Sequence, residues 1–365
     1  MYQLPVSLLL LILSFSFRVS CLQLSNCNKT EVTLIRDTEL LTSLTLSNCT
    51  LPHLENAFFV RFDHLLQLEL QHSGLSDLDD FSLNGLIRLQ SLSLGHNNLS
   101  ALRSWSSEPL GALSILDLSH NRLSKLRAKS FELYPQLQQL DLQNNQINQI
   151  EENSFYGLPH LKHLHLNGNQ LQKLDSSFFR GLHRLSSLSL QHNQIDSIEM
   201  ESFEGNTHLR SLRLDQNLLS SLTFISQRGL ARLVHLNLSN NLVQKLEPLG
   251  FSKNFELQNL DLSFNNLTKL SKDALSGLDS LEQTYDDSNP SPPPLTWPKI
   301  PTDRFDSRSV IIWMLVAIAI AFAGLRWLRR FVDRNEKRKL GTKELNNMYV
   351  SKVQWQPVRN ELERS

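Results

Sequence analysis

The chain has 365 residues, with 36 Lys and Arg against 36 Asp and Glu. The balance conceals a split: 24 basic and 31 acidic residues lie between Leu22 and Arg308, and 11 basic and 5 acidic from Arg326 onward. An acidic body with a basic tail speaks against a chain confined to one compartment. In chain order, the first element is the apolar stretch LPVSLLLLILSFSF at residues 4–17, too short to span a bilayer. Val19-Ser20-Cys21 offers small residues for a cleavage site, so residues 1–21 are expected to be a secretory signal peptide, with Ser14-Phe15-Ser16 as the alternative cleavage site.

The body that follows is periodic. The stretch ILDLSHNRLSKL at Ile115–Leu126 brings Asp117, Ser119 and His120 within four residues, the residue types of a nucleophilic triad or of a metal site. The same frame, Leu113-x-x-Leu116-x-Leu118-x-x-Asn121-x-Leu123, recurs every 24 residues without a slip. Ten copies start at Leu41, Leu65, Leu89, Leu113, Leu137, Leu161, Leu185, Leu209, Leu233 and Leu257; an eleventh, at Leu281, fails with Thr284 in place of its second leucine. The apparent triad is therefore one rung of a ladder and predicts no enzyme.

With Leu113 as position one, positions four and six alternate in the manner of a short strand with one buried side. Stacked in parallel at ~4.8 Å, such strands bury a continuous column of leucine. Position nine is Asn97, Asn121, Asn145, Asn169, Asn193, Asn217, Asn241 and Asn265, with Cys49 and Ser73 in the first two copies. An amide there both donates to and accepts from backbone that the stack would leave buried and unpaired. Phe59, Phe131, Phe155, Phe179, Phe203 and Phe251 share position 19, which predicts an aromatic spine inside the outer wall. The outer segments are short and broken by Gly and Pro, so turns, 3₁₀ pieces and one-turn helices are expected there.

Residues 41 to about 280 thus resemble the leucine-rich-repeat family, whose signature is L-x-x-L-x-L-x-x-N/C-x-L. The resemblance implies an α/β-type solenoid, mostly β and irregular: a horseshoe with a parallel concave β-sheet. It also implies that positions two, three, five, seven and eight line the concave face where ligands bind. On that basis the candidate ligand-facing residues are Glu69, Asp117, Asp141, His165 and Arg213 at position five, with His72, His96, His120, Asn144 and His192 at position eight. The face is polar and mixed in sign. It is expected to carry no long acidic or basic stripe, so nucleic acid and heparin-like polyanions are poor partners, and a protein partner is expected without cofactor or small-molecule substrate. His72, His96 and His120 fall on consecutive rungs, where two imidazoles can reach one metal ion or act as a pH switch; the plainer reading is a polar residue on a solvated face.

Residues 22–40 are expected to cap the solenoid. LQLSNC at Leu22–Cys27 echoes LTLSNC at Leu44–Cys49, so a stacked capping strand puts Cys27 and Cys49 in equivalent slots for a disulfide. Cys21–Cys27 pairing or a free Cys49 are the alternatives. Family members outside the cell commonly carry Cys-rich caps at both ends, and this chain has no Cys beyond Cys49. Five sequons make Asn28, Asn48, Asn98, Asn237 and Asn266 N-glycosylation candidates. A glycan on Asn237, at position five, would obstruct the C-terminal part of the sheet face.

The solenoid is expected to end at residue 283. A Pro-rich stalk at 284–309 follows, then an apolar run, VIIWMLVAIAIAFAGL at Val310–Leu325, extended by Trp327 and Leu328 to a transmembrane helix over 310–328. Arg326, Arg329, Arg330, Arg334, Lys337, Arg338 and Lys339 place the tail, 329–365, in the cytoplasm. The expectation is a single-pass plasma-membrane protein with an extracellular solenoid, acting in recognition or adhesion. The alternative is an auxiliary subunit that regulates a channel or receptor in the same membrane.

Overall fold

The structure is a computed structural model that describes residues 20–35, 38–102, 105–267 and 273–285. The expected signal peptide up to Val19, the stalk beyond Tyr285, the apolar run at 310–328 and the basic tail lie outside the described residues. Among the described residues no helix is long and apolar enough to cross a membrane.

Twelve strands form one parallel sheet in chain order: β1 Cys21–Ser25, β2 Ser43–Ser47, β3 Gln67–Glu69, β4 Ser91–Ser93, β5 Ile115–Asp117, β6 Gln139–Asp141, β7 His163–His165, β8 Ser187–Ser189, β9 Ser211–Arg213, β10 His235–Asn237, β11 Asn259–Asp261 and β12 Gln283–Tyr285. Registry is strict: Leu116 of β5 stands opposite Leu92 of β4 and Leu140 of β6. The chain is thus a parallel β-solenoid with little helix. β12 pairs with β11 although Thr284 replaces leucine, so the eleventh rung forms and the sheet runs two residues past 283. Main-chain bonding to the rung before it carries that strand without the leucine.

The leucine columns fill the interior; Leu113, Leu116, Leu118, Leu123 and Leu126 are all 0% exposed. Asn145 shows how the turn after each strand is tied. Its Nδ2 donates to Leu118 O on the preceding rung at 3.0 Å and to Leu142 O at 3.1 Å, and its Oδ1 accepts from Leu123 N at 3.0 Å. Asn97, Asn121, Asn169, Asn193, Asn217, Asn241 and Asn265 repeat the pattern. Each buried backbone group left unpaired would cost ~1–3 kcal/mol, so the column supports the whole stack. Ser73 keeps part of it, its Oγ donating to Leu46 O at 3.1 Å.

The aromatic spine is continuous over four rungs. Phe131, Phe155, Phe179 and Phe203 stack with centroids 5.9, 6.4 and 5.8 Å apart and planes within 17°. Phe59 lies apart from that stack, edge-on to Phe58 and Phe62. In repeat eight the spine position is Gln227, between the 3₁₀ turns Thr223–Ser226 and Arg228–Leu230. The outer wall also holds two-residue parallel pairings absent from the expected turns: His53–Leu54 with Asp77–Leu78, Lys125–Leu126 with Gln149–Ile150, and Lys173–Leu174 with Ser197–Ile198.

At the N-terminus, β1 continues the register onto β2, with Leu22 opposite Leu44 and Leu24 opposite Leu46. Cys27 and Cys49 are joined by a disulfide with Cα atoms 4.4 Å apart, and Cys21 is free and exposed. The short helix α1, Lys29–Thr33, closes the cap; Asn28 and Glu31 form a reciprocal capping box.

Candidate partner-binding face

Every position-eight residue from Asn48 to Phe264 has a left-handed backbone, with φ between 53° and 67°. That conformation turns the chain out of the strand and lets the next residue, the ladder asparagine, point inward. It favours Gly, Asn and His among L-residue alternatives, and the column is rich in those three. This backbone reason for the histidines was legible in the column's composition. At Gly168 a Cβ would meet Asn144 Oδ1 at 2.3 Å, so the Asn144 side chain fills the slot that Gly168 leaves.

His72, His96 and His120 stack face to face, with centroids 4.4 and 4.0 Å apart and planes 22° and 10° apart. Asn144 Nδ2 lies 3.1 Å from His120 Nε2. Nearly parallel rings aim their nitrogen lone pairs along separate planes, so an ion ~2.1 Å from one ring nitrogen lies off the plane of the next. Among the described residues no group of three or more His, Cys, Asp or Glu is arranged to hold a metal. Burial holds the His96 pKa below its ordinary value, and the charges of His120 and His72 act in the same direction against Asp117.

Position five is half-sunk between neighbouring rungs. Asp117, Asp141, Asn237 and Asp261 each accept, through Oδ1, the N–H two residues on: Ser119 at 2.9 Å, Gln143 at 2.9 Å, Ser239 at 2.9 Å and Ser263 at 3.0 Å. These side chains therefore tie the strand's end as well as facing a partner, and Asp117 and Ser119 have this structural role in place of triad chemistry. Two polar rows cross the rungs. Gln71 Nε2 donates to Ser93 Oγ at 2.8 Å, and Ser93 Oγ donates to Asp117 Oδ2 at 2.7 Å. Gln143 donates to Asp141 Oδ2 at 3.0 Å and accepts from Asn167 at 3.2 Å. Thr45 donates to Glu69 at 3.2 Å. Arg213 grips Asp215 with two bonds, of 3.0 and 2.9 Å.

Charge on this face is muted. Burial pushes the Asp141 carboxyl up to about 7, with the neighbouring Asp117 adding to the effect. Burial pushes His165 down to about 4, with His163 adding to that shift. His163 is lowered as well, first by burial and then by Lys162. His192 stands exposed at position eight. Of the sequon residues, Asn28, Asn48, Asn98 and Asn266 are exposed, while Asn237 is half-buried. The expectation that the face carries no basic stripe needs correcting: Lys162 and Arg210 at position two, with Arg184 and Arg232 at position 24, form a basic strip along its edge in the middle repeats, outside the columns at positions five and eight.

Parallel rungs, an inward asparagine ladder and a polar sheet face define a parallel β-solenoid of leucine-rich-repeat type. The leucine-rich-repeat family model matches residues 63–123, 111–171, 159–219 and 222–285, more than half of the chain. The chain belongs to the leucine-rich-repeat family, and no catalytic family is indicated. No curated protein sequence matches it. Among solved structures it is similar to the TLR13–ssRNA13 complex (26% identity, TM-score 0.50, covering 71% of this chain and 44% of that one). It is similar in fold to a chain of the octameric complex of Latrophilin 3, Unc5D and the leucine-rich-repeat part of FLRT2 (24% identity, TM-score 0.58, 70% and 78%). The same holds for the Toll–Spatzle complex of Drosophila (21% identity, TM-score 0.58, 72% and 40%). The chain spans less than half of the TLR13 and Toll chains it matches.

Proposed function

We propose that this is a single-pass cell-surface protein, not an enzyme, whose solenoid binds a protein partner through the sheet face of its N-terminal and middle repeats. The observation that carries the reading is the cross-rung polar network of Gln71, Ser93 and Asp117, and of Asp141, Gln143 and Asn167. Side chains fixed by neighbouring rungs lose little freedom on binding, which is what a preorganised recognition surface requires. The apolar run at 310–328 and the basic residues after it support a membrane anchor with the solenoid outside. A glycan on Asn237 would leave repeats two to seven as the open part of the face.

The test is proximity labelling by the full chain on living cells, compared with Gln67→Arg/Gln139→Arg on the sheet face and with a deletion of residues 329–365. Partners lost with the face variant and kept with the tail deletion support this reading. Partners indifferent to the face and lost with the tail support instead an auxiliary subunit acting within the same membrane.

A further inference from the structure

We propose that the lateral rim of repeats five to eight, built from Lys162, Arg184, Arg210 and Arg232 with His160 and His208, binds a sulfated glycosaminoglycan chain. Positions 24 and two flank the leucine at position one. Leu161, Leu185, Leu209 and Leu233 are 0% exposed and point inward, so alternation throws their neighbours outward. The four cations and His208 are exposed. The rungs set their spacing: Ser186 N donates to Lys162 O at 2.9 Å, Arg210 N to Ser186 O at 2.9 Å, and Val234 N to Arg210 O at 2.8 Å. Lys162 and Arg210 therefore stand two rungs apart, ~10 Å. Side chains at position 24 touch across one rung, with Arg184 Nη1 3.1 Å from His160 Nδ1.

The strip carries one sign. Positions 23, 24 and two hold no carboxylate from Pro159 to Val234, and the next acid in the column is Glu256. Some cations elsewhere are paired, as Lys125 with Glu151, Arg213 with Asp215 and Lys245 with Glu247. The four rim cations make no ion pair among the described residues; Lys162 Nζ donates to the neutral amide of Gln138 at 2.9 Å. A row of unneutralised charges repels itself in the free protein and is relieved by a linear polyanion that releases its counterions on binding. Guanidinium forks suit planar and tetrahedral oxyanions, and three of the four cations are Arg.

The same positions hold no Phe, Tyr or Trp between Pro159 and Val234. Single-stranded nucleic acid is held by stacking its bases on aromatic side chains, and protein partners are anchored by buried aromatic residues. A sulfated sugar chain needs neither. The rim uses none of the residues of the cross-rung network on the sheet face.

The test is binding of the full chain, in detergent micelles, to immobilised heparin at physiological salt. Its comparator is K162Q/R184Q/R210Q/R232Q, with unchanged thermal unfolding as the check on folding. The quadruple variant is expected to bind ~100-fold more weakly and with a shallower dependence on salt. It retains the basic tail, so heparin binding that survives in it overturns the proposal by assigning that binding to the tail. K245Q/K253Q, which removes two cations away from the rim, is expected to bind as the parent does. A single-stranded RNA homopolymer or a polyglutamate chain that binds the parent as tightly as heparin at equal charge would also overturn the choice of partner.

Discussion

Repeats four to seven and repeat eight solve the same packing problem differently. In the former, a phenylalanine at position 19 stacks on its neighbours and shields the leucines from outside. In repeat eight that slot is Gln227, whose Oε1 accepts from Phe203 N at 2.8 Å and whose Nε2 donates to Glu199 O at 3.3 Å. Phe224 covers the end of the spine from another position, 6.1 Å from Phe203 and tilted by 53°. The asparagine ladder passes through both regions unchanged, at Asn193, Asn217 and Asn241. The spine is thus a local means of filling the outer wall, whereas the ladder is a condition of stacking at all.

The sharpest break in the comparison is at Gly229. A Cβ there would lie 1.4 Å from Phe203 O, so the outer turn of repeat eight fits against repeat seven only without a side chain. Gly229→Ala is expected to destabilise the turn by about 5 kcal/mol. Amide exchange should rise in residues 199–231 and stay low in repeats two to five; protection unchanged in that segment would contradict the close approach. Phe179→Ala comes next. It removes a fully buried ring from the middle of the stack, at about 4 kcal/mol. Phe224→Ala, which loses a tilted contact with one ring, should cost ~1 kcal/mol less. Equal losses by urea-dependent exchange would mean that stacking adds nothing to burial.

Asn169→Ala tests the common element. It leaves Ile147 N, Leu142 O and Leu166 O without the amide at once, and about 3 kcal/mol is expected. The loss should spread to the preceding rung, since the bonds run to residues 22 and 27 earlier in the chain. Ser73→Ala, which removes a hydroxyl that donates at a slot filled elsewhere by a donor and acceptor, should cost about 1 kcal/mol. A wholly local effect of Asn169→Ala would remove the distinction between ladder and spine.

Much of this was legible because repetition turns weak signals into columns. The leucine and asparagine columns predict the register rung by rung, and the phenylalanine column predicts the spine. The spine's interruption was visible as Gln227 at position 19, but its replacement was not: Phe224 sits three residues out of phase, and only the 3₁₀ turns bring it back. The histidines at position eight read as a possible metal or pH site until the left-handed turn supplied their backbone reason. The position-five acids read as free ligand contacts, and the N–H they accept lies two residues away, a bond that periodicity does not encode. The cationic rim is divided between the last position of one repeat and the second of the next. Position 24 alone reads His160, Arg184, His208 and Arg232, and was legible as a basic column; position two adds Lys162 and Arg210 to the same edge.

The last contrast lies on the sheet face itself. In repeat eight the acid at position seven, Asp215, meets the fork of Arg213. In repeat five Asp141 has only the amide groups of Gln143, and burial raises its pKa from 3.8 to about 7. The folded protein then holds a proton that the unfolded chain has released between about pH 4 and pH 7. Stability therefore falls as pH rises through that window and is level above it with respect to this group. Asp141→Asn keeps the acceptor for Gln143 N and removes the titration. At pH 8 the variant should be the more stable by roughly 2 kcal/mol, and at pH 4 the advantage should vanish. His165 does not mimic this signature: held down to about 4, it lowers stability as pH falls below its ordinary value of 6.5, the opposite slope. A variant whose advantage over the parent is the same at pH 4 and pH 8 would show that Asp141 is charged at rest. The middle of the face would then present a full carboxylate to its partner near neutral pH, where burial leaves the group partly protonated.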